Sequence, residues 1–143
     1  MGSGVLGQLV DFDAFRELAE SFSRMTGIAM AILDVEGNIL VASGWKRICI
    51  DFHREHPDIE KECIESDTRI NRQLEEGQPF SIYTCPRGLT DASMPILIDG
   101  VHLANAFAGQ LFLKQPDAED EQRFREQARK FGFDEEEYAA AFR

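Results

Sequence analysis

The side chains in this sequence best suited to chemistry are three cysteines, Cys49, Cys63 and Cys85, and three histidines, His53, His56 and His102. Beside them stands a Gly109-Gln110 pair inside an apolar run. Thiolate and imidazole are good ligands for zinc, iron or a cluster. One reading of Cys49, Cys63 and Cys85 is therefore a metal site, completed by a histidine or by a bound molecule. Between successive cysteines lie 13 and 21 residues, which is no Cys-x-x-Cys signature. Two other readings stay open. A pair of the thiols can form a reversible disulfide and act as a redox sensor, or all three can pack as small hydrophobes.

A second set of residues suits a small organic ligand. His102 follows a Gly turn and can donate to a ligand oxygen or change charge near neutral pH. Gly109 permits close approach of a ligand or another backbone, and Gln110 offers both a donor and an acceptor. Tyr83, Trp45 and Phe52 supply aromatic walls and are equally at home in a core. With Cys85 at a strand end, these are the candidate ligand contacts. Structural alternatives are a Gln110 bonded across the sheet and a Gly109 that makes room for a bulky neighbour such as Trp45. Asp91 reads as a residue that caps or pins its loop. Catalysis finds little support, since there is no Ser nucleophile motif and no His-Glu zinc helix. A Cys85–His102 nucleophilic pair has no general base marked by spacing. The chain reads as non-enzymatic.

These residues are held by an orderly set of elements. Phe12, Phe15, Leu18, Ala19, Phe22 and Met25 fall at helical spacing and predict a helix over 11–25, stopped by Gly27. Strands are expected at 28–33 and 39–43, joined by a turn at 34–38 that contains Gly and Asn. A short helix over 45–55 carries Trp45, Ile48, Cys49, Phe52 and His56 on one face, with His53 flanking it. Pro57 opens a longer helix to about 76, with a stripe of Ile59, Cys63, Ile70 and Leu74. Asp67 falls on that stripe, where a carboxylate must be hydrogen-bonded or face a polar cavity; a bond to backbone is the simpler expectation. Strands follow at 80–84, around 94–98 and up to 113, then helices over 117–131 and 135–142. Two strands, a helical excursion and three strands make an α+β, PAS-like layout. It predicts a five-stranded, mainly antiparallel sheet with helices packed on one face, helical N- and C-terminal flanks, and a pocket between sheet and excursion.

Composition narrows the partners. A chain of 143 residues is long enough for one domain with a real core. A net charge of −11 speaks against nucleic acid, which needs a surplus of Lys and Arg, and against an anionic membrane surface. The longest apolar stretch, 28–33, falls far short of the ~20 residues of a membrane span. No signal peptide is present, so a reduced, cytoplasmic protein is expected. Residues 1–7 read as a linker or expression scar and 8–143 as the single domain.

Taken together, several short pieces resemble one family. They are Ile48-Cys49 with Phe52-His53, Cys63 with Glu65-Ser66-Asp67, and the run from Tyr83 through Cys85-Pro86-Arg87-Gly88 to Asp91. Pro95-Ile96, the run Gly100 to Asn105 and Gly109-Gln110 complete the set. From about Val10 to the end, the chain is similar to PocR-type sensory domains. The resemblance implies a PAS-like variant fold in bacterial or archaeal signalling and transcription-regulatory proteins. It implies sensing of small organic compounds such as diols. Its members sit beside an AraC-type DNA-binding region, a histidine kinase or a cyclic-dinucleotide synthase, and no such output module is recognisable here. The family pattern keeps all three cysteines, which adds weight to a metal- or redox-sensing alternative at Cys49, Cys63 and Cys85. A homodimer, formed through the N-terminal Phe stripe or the C-terminal helix, is expected.

Overall fold

The structure is a computed structural model that describes residues 2–142, apart from the side chains of residues 2–4, 74 and 75. Leu74, expected on the long helix's buried stripe, thus lies outside the described side chains. Five strands form one sheet: β1 (Ala29–Asp34), β2 (Ile39–Ser43), β3 (Ser81–Thr84), β4 (Thr90–Ile98) and β5 (Val101–Leu111). All pairings are antiparallel, in the order β2-β1-β5-β4-β3. Local chemistry sets the two tight connections. The buried Asp34 carboxylate accepts hydrogen bonds from Glu36 N, Asn38 N and Asn38 Nδ2, which closes the β1–β2 turn. The β4–β5 turn takes Asp99 and Gly100 at φ of 50° and 76°, the double left-handed geometry that matches hairpin twist.

Alternation along the strands feeds two cores, one on each face. On one face Ile32, Val41 and Ala104 pack against Leu6, Phe12 and Phe15 from α1 (Gly2–Leu9) and α2 (Phe12–Thr26). On the other, Ala31, Leu33 and Phe107 meet Ile70 of α3 (Pro57–Glu75), with Trp45 and Tyr83 at the margin. The helical excursion therefore occupies one face, as the layout leads one to expect, and the N-terminal flank closes the other. Residues 2–9 are helical rather than linker-like. Leu6 is fully buried in the sheet core, and that tertiary contact overrides the weak helical preference of its Gly- and Ser-rich surroundings. Only part of the α2 stripe reaches the sheet: Ala19 is buried, whereas Leu18 and Met25 are 69% and 84% exposed.

The excursion opens with a π-helix, Ile48–His53. Arg54 N donates to Cys49 O across the five-residue spacing that defines this wider turn. The extra residue per turn rotates His53 inward, so it is buried rather than flanking the helix as its spacing suggests. Phe52 and His53 meet α4 (Ala118–Phe131) and α5 (Glu135–Phe142) in an aromatic cluster. Phe52 stands edge-on to Phe133 and Tyr138, with centroids 5.4 and 5.2 Å away.

His53 Nε2 lies 2.6 Å from the Tyr138 hydroxyl, which in turn donates to Gln127 Oε1. With that hydroxyl proton committed to Gln127, His53 Nε2 carries the hydrogen and donates to Tyr138. Burial, followed by the Arg87 and Arg54 charges, lowers the His53 pKa to about 3. The folded state thus refuses a proton that the unfolded chain accepts below pH ~6.5. Stability present above pH ~6.5 is lost as pH falls, by up to about 1.4 kcal/mol per unit. The expected result is an acid-side loss of melting temperature that His53→Asn flattens. Parallel curves for the two proteins between pH 4.5 and 7 would contradict it.

Candidate functional site

Between the sheet and the excursion lies a cavity of ≈ 30 Å³, room for about two water molecules. Its apolar floor comes from Ala29, Ala31, Leu33 and Phe107 on the two central strands. Its polar wall is Arg54 from the end of the π-helix, Asp67 from α3, Asp91 from β4 and Gln110 from β5, with Trp45 over them. The site is polar in a part of the molecule where a plain core would be apolar.

Arg54 and Asp67 form an ion pair at 2.8 Å, both side chains less than a fifth exposed. The Tyr83 hydroxyl donates to the other Asp67 oxygen at 3.2 Å, and the Arg54 guanidinium stacks 5.1 Å from the Trp45 ring centroid. Burial raises the Asp67 pKa, against the lowering pull of Arg54 and the Tyr83 hydrogen bond. Asp67 is thus bonded to side chains rather than to backbone, and it also lines the cavity.

Asp91 is placed by an irregularity in the sheet. Thr90 pairs with Leu111 and Asp91 with Gly109, so Gln110 is the extra residue of a β-bulge. Gln110 takes φ +56°, a left-handed conformation uncommon for a side-chain-bearing residue and often found at functional sites. Its backbone N–H donates to Asp91 Oδ1 at 2.8 Å, while its side-chain oxygen accepts from Lys46 N at 2.7 Å. Gln110 thereby fastens the entry of the excursion to β5. Asp91 pins neighbouring β5 rather than its own loop. Burial raises its pKa to about 6, opposed by the Gln110 N–H, and the Asp67 charge pushes the same way as burial. Among the described residues, no ion pair neutralises it.

The structure brings only some of the sequence-predicted contacts to this cavity. Trp45 and Gln110 line it, and Tyr83 stands one hydrogen bond away through Asp67. Phe52 and Cys85 belong to the aromatic cluster under α4 and α5. His102 lies towards the other end of β5, opposite Leu97, with Nε2 at 2.7 Å from Asn105 Oδ1. Arg54 was not predicted; inside the charged run Arg54-Glu55 nothing in its spacing marks it as inward-facing. Asp91 and Asp67 were noticed, but for structural duties.

The cysteines are free thiols. Burial raises the pKa of Cys49 and Cys85, and that of Cys63 to about 11. Each charge would be felt by the others, because Cys85 and Cys63 both act on Cys49. Cys49 and Cys85 pack in one apolar cluster, and none of the three lines the cavity. Among the described residues no three His, Cys, Asp or Glu side chains gather closely enough to hold a metal ion. No helix among them is long and apolar enough to cross a membrane.

Comparison with known proteins agrees with the sequence pieces. The family model described as "Sensory domain found in PocR" matches residues 8–143. The Regulatory protein PocR of Salmonella typhimurium (strain LT2) is 28% identical over 102 residues, covering 71% of this chain and 33% of that protein. The chain therefore spans about a third of that relative's length. Among solved structures, the PAS domain from Bordetella pertussis BvgS is similar at 12% identity, with a TM-score of 0.43, over 82% of this chain and 96% of that one. With nearly its whole length matched by that sensory-domain model, the chain belongs to the family of PocR sensory domains.

Proposed function

We propose that this chain is a ligand-sensing input domain of a signalling or transcription-regulatory protein, without catalytic activity of its own. A small polar organic molecule binds between the sheet and the excursion, against Trp45, Arg54, Asp67, Asp91 and Gln110. The observation that carries this reading is Asp91, a half-buried carboxyl on the cavity wall that accepts one hydrogen bond, from the Gln110 N–H, and makes no ion pair among the described residues. Such a group is costly to bury, and a bound donor would offset that cost.

Transmission follows from the packing. Trp45 and Arg54 flank the π-helix, whose Phe52 and His53 meet Tyr138 of α5. A ligand that shifts the π-helix biases how α5 docks, as a population shift between two packings. The exposed Leu18 and Met25 on α2 suit a second copy of the chain, and sedimentation of the protein as a monomer at micromolar concentration would remove that part. The sensing claim is tested by a melting screen against short alcohols, diols, amines and carboxylic acids. At a hundred times its Kd, a true ligand is expected to raise the melting temperature by roughly 5–10 °C. A flat response across the panel would overturn the reading.

A second reading keeps a metal or redox role for Cys49, Cys63 and Cys85. It is supported by three thiols, Cys49 buried and Cys63 and Cys85 half-buried, within electrostatic reach of one another. Zinc and iron content of protein purified without an affinity metal, with a thiol titration, tests it. Metal-free protein that keeps three free thiols under mild oxidant removes it.

A further inference from the structure

The cavity of ≈ 30 Å³ holds one polar head group and no larger body, since that volume corresponds to about two waters. Any organic ligand must therefore extend beyond it. Trp45 and Arg54 also line a second space, a groove of ≈ 340 Å³ bounded by Ile39, Ala42 and Ile50 beside the edge strand β2. The Trp45–Arg54 stack is thus the shared wall between a polar inner cavity and an apolar outer groove. Ile39 and Ile50 are 45% and 47% exposed there, large apolar side chains with surface left to cover.

The charges choose the head group. Two carboxyls, Asp67 and Asp91, face the cavity against one guanidinium, Arg54, and that guanidinium is committed to Asp67. Asp91 keeps one hydrogen bond, from Gln110 N, and makes no ion pair among the described residues, although the Arg54 charge reaches it. An anionic head group would meet uncompensated negative charge. A neutral hydroxyl would leave Asp91 unneutralised. An ammonium neutralises it, and the aromatic side chain of Phe107 lines the same cavity. The net charge of −11 also favours the approach of a cation.

We propose that the ligand class is a short primary alkylamine, its ammonium seated at Asp91 and its alkyl chain passing the Trp45–Arg54 wall into the groove beside β2. This assignment rests on the sensing reading above and specifies its ligand. The ammonium donates to the free oxygen of Asp91, and displacement of the Trp45 ring opens the way to the groove. Trp45 is held by one long hydrogen bond, Nε1 to Met30 O at 3.3 Å, and by the Arg54 guanidinium stacked on its ring, so the ring and the guanidinium move together. Amine binding weakens as pH falls and Asp91 takes up a proton. The groups facing Asp91 are Asp67 from α3, Arg54 and Cys49 from the excursion, and Tyr83 and Cys85 from β3 and its end.

Calorimetry at pH 7.5 with methylamine, n-butylamine, n-butanol and butyrate tests the proposal. n-Butylamine is expected to bind best, ahead of methylamine, with butyrate weakest. Asp91→Asn keeps an oxygen to accept from Gln110 N and so preserves the fold. It is expected to weaken n-butylamine about a hundredfold, as loss of one partner of a buried charge pair does, and to leave n-butanol unchanged. Ala42→Phe fills the groove and is expected to abolish the advantage of n-butylamine over methylamine. Equal binding of n-butanol and n-butylamine, with both indifferent to Asp91→Asn, overturns the amine assignment while leaving the cavity a ligand site. Silence from all four compounds and from the wider screen overturns the assignment together with the sensing reading.

Discussion

Gly109→Ala is expected to lower the melting temperature by roughly 6–12 °C, a cost of about 3 kcal/mol at the upper end of overpacking effects. The reason is not backbone conformation, because Gly109 does not occupy the left-handed region. It is space. A methyl group there would stand 2.3 Å from Asp91 Oδ1, and 2.6 Å from both Asp91 Cα and Thr90 O. Two of those three atoms are backbone, so β4 itself must move away from β5. The displaced strand would also pull Asp91 Oδ1 from Gln110 N and loosen the bulge that presents Gln110 to Lys46. Asp91→Ala added to Gly109→Ala removes the carboxylate obstacle and leaves the backbone ones. No more than a small part of the loss should return. A Gly109→Ala protein that melts within about 2 °C of the parent would show that the strands have slack there, and the close approach would lose its importance for the site.

The sequence made much of the frame legible because most elements are written locally. The Phe12, Phe15 and Ala19 spacing, the Asp99-Gly100 turn and the Asp117 start of α4 are short-range signals, and each holds in the structure. The helical excursion followed from Pro57 and the stripe of Ile59 and Ile70. What local pattern could not supply was the π-helix. Periodicity reading assumes the ordinary turn, and one extra residue per turn moved His53 from the flank into the core. α1 was hidden for a related reason: only burial of Leu6 against Ile32 and Val41 explains it.

The site was half legible. Gln110 and Trp45 stood out because a polar residue in an apolar strand, and a lone Trp, are rare enough to notice. Both line the cavity. The three thiols drew the eye for their chemistry, yet none of them lines the cavity, and Cys49 and Cys85 pack in the aromatic cluster instead. The charged wall escaped because pairing across 13 residues, as between Arg54 and Asp67, leaves no trace in one sequence. Asp91 looked like a loop residue because it follows Arg87-Gly88. Only the register of β4 on β5, with its bulge at Gln110, turns it toward the cavity.

Arg54→Met is expected to cost about 3 kcal/mol near pH 8, the usual penalty for stripping one partner from a buried ion pair, and much of that loss is expected to return by pH 5. Asp67 is only 12% exposed at its side chain. Burial already holds its pKa up, and Arg54 is the larger of the two influences holding it down. Without the guanidinium, the folded-state pKa of Asp67 climbs further above that of the unfolded chain. A carboxyl so raised contributes stability below its folded pKa and loses it as pH rises through that value. The gap between variant and parent should therefore be wide in mild alkali and narrow in mild acid. Arg54→Met combined with Asp67→Leu removes both charges and should recover most of the loss at pH 8, since well-packed apolar pairs replace buried ion pairs at little cost. Arginine also covers Trp45, and a stacking role predicts a different result. If the penalty is the same at pH 5 and pH 8, and the second substitution restores nothing, Arg54 stabilises the wall by packing on the indole. The charge-balance argument for the cavity would then have to be given up.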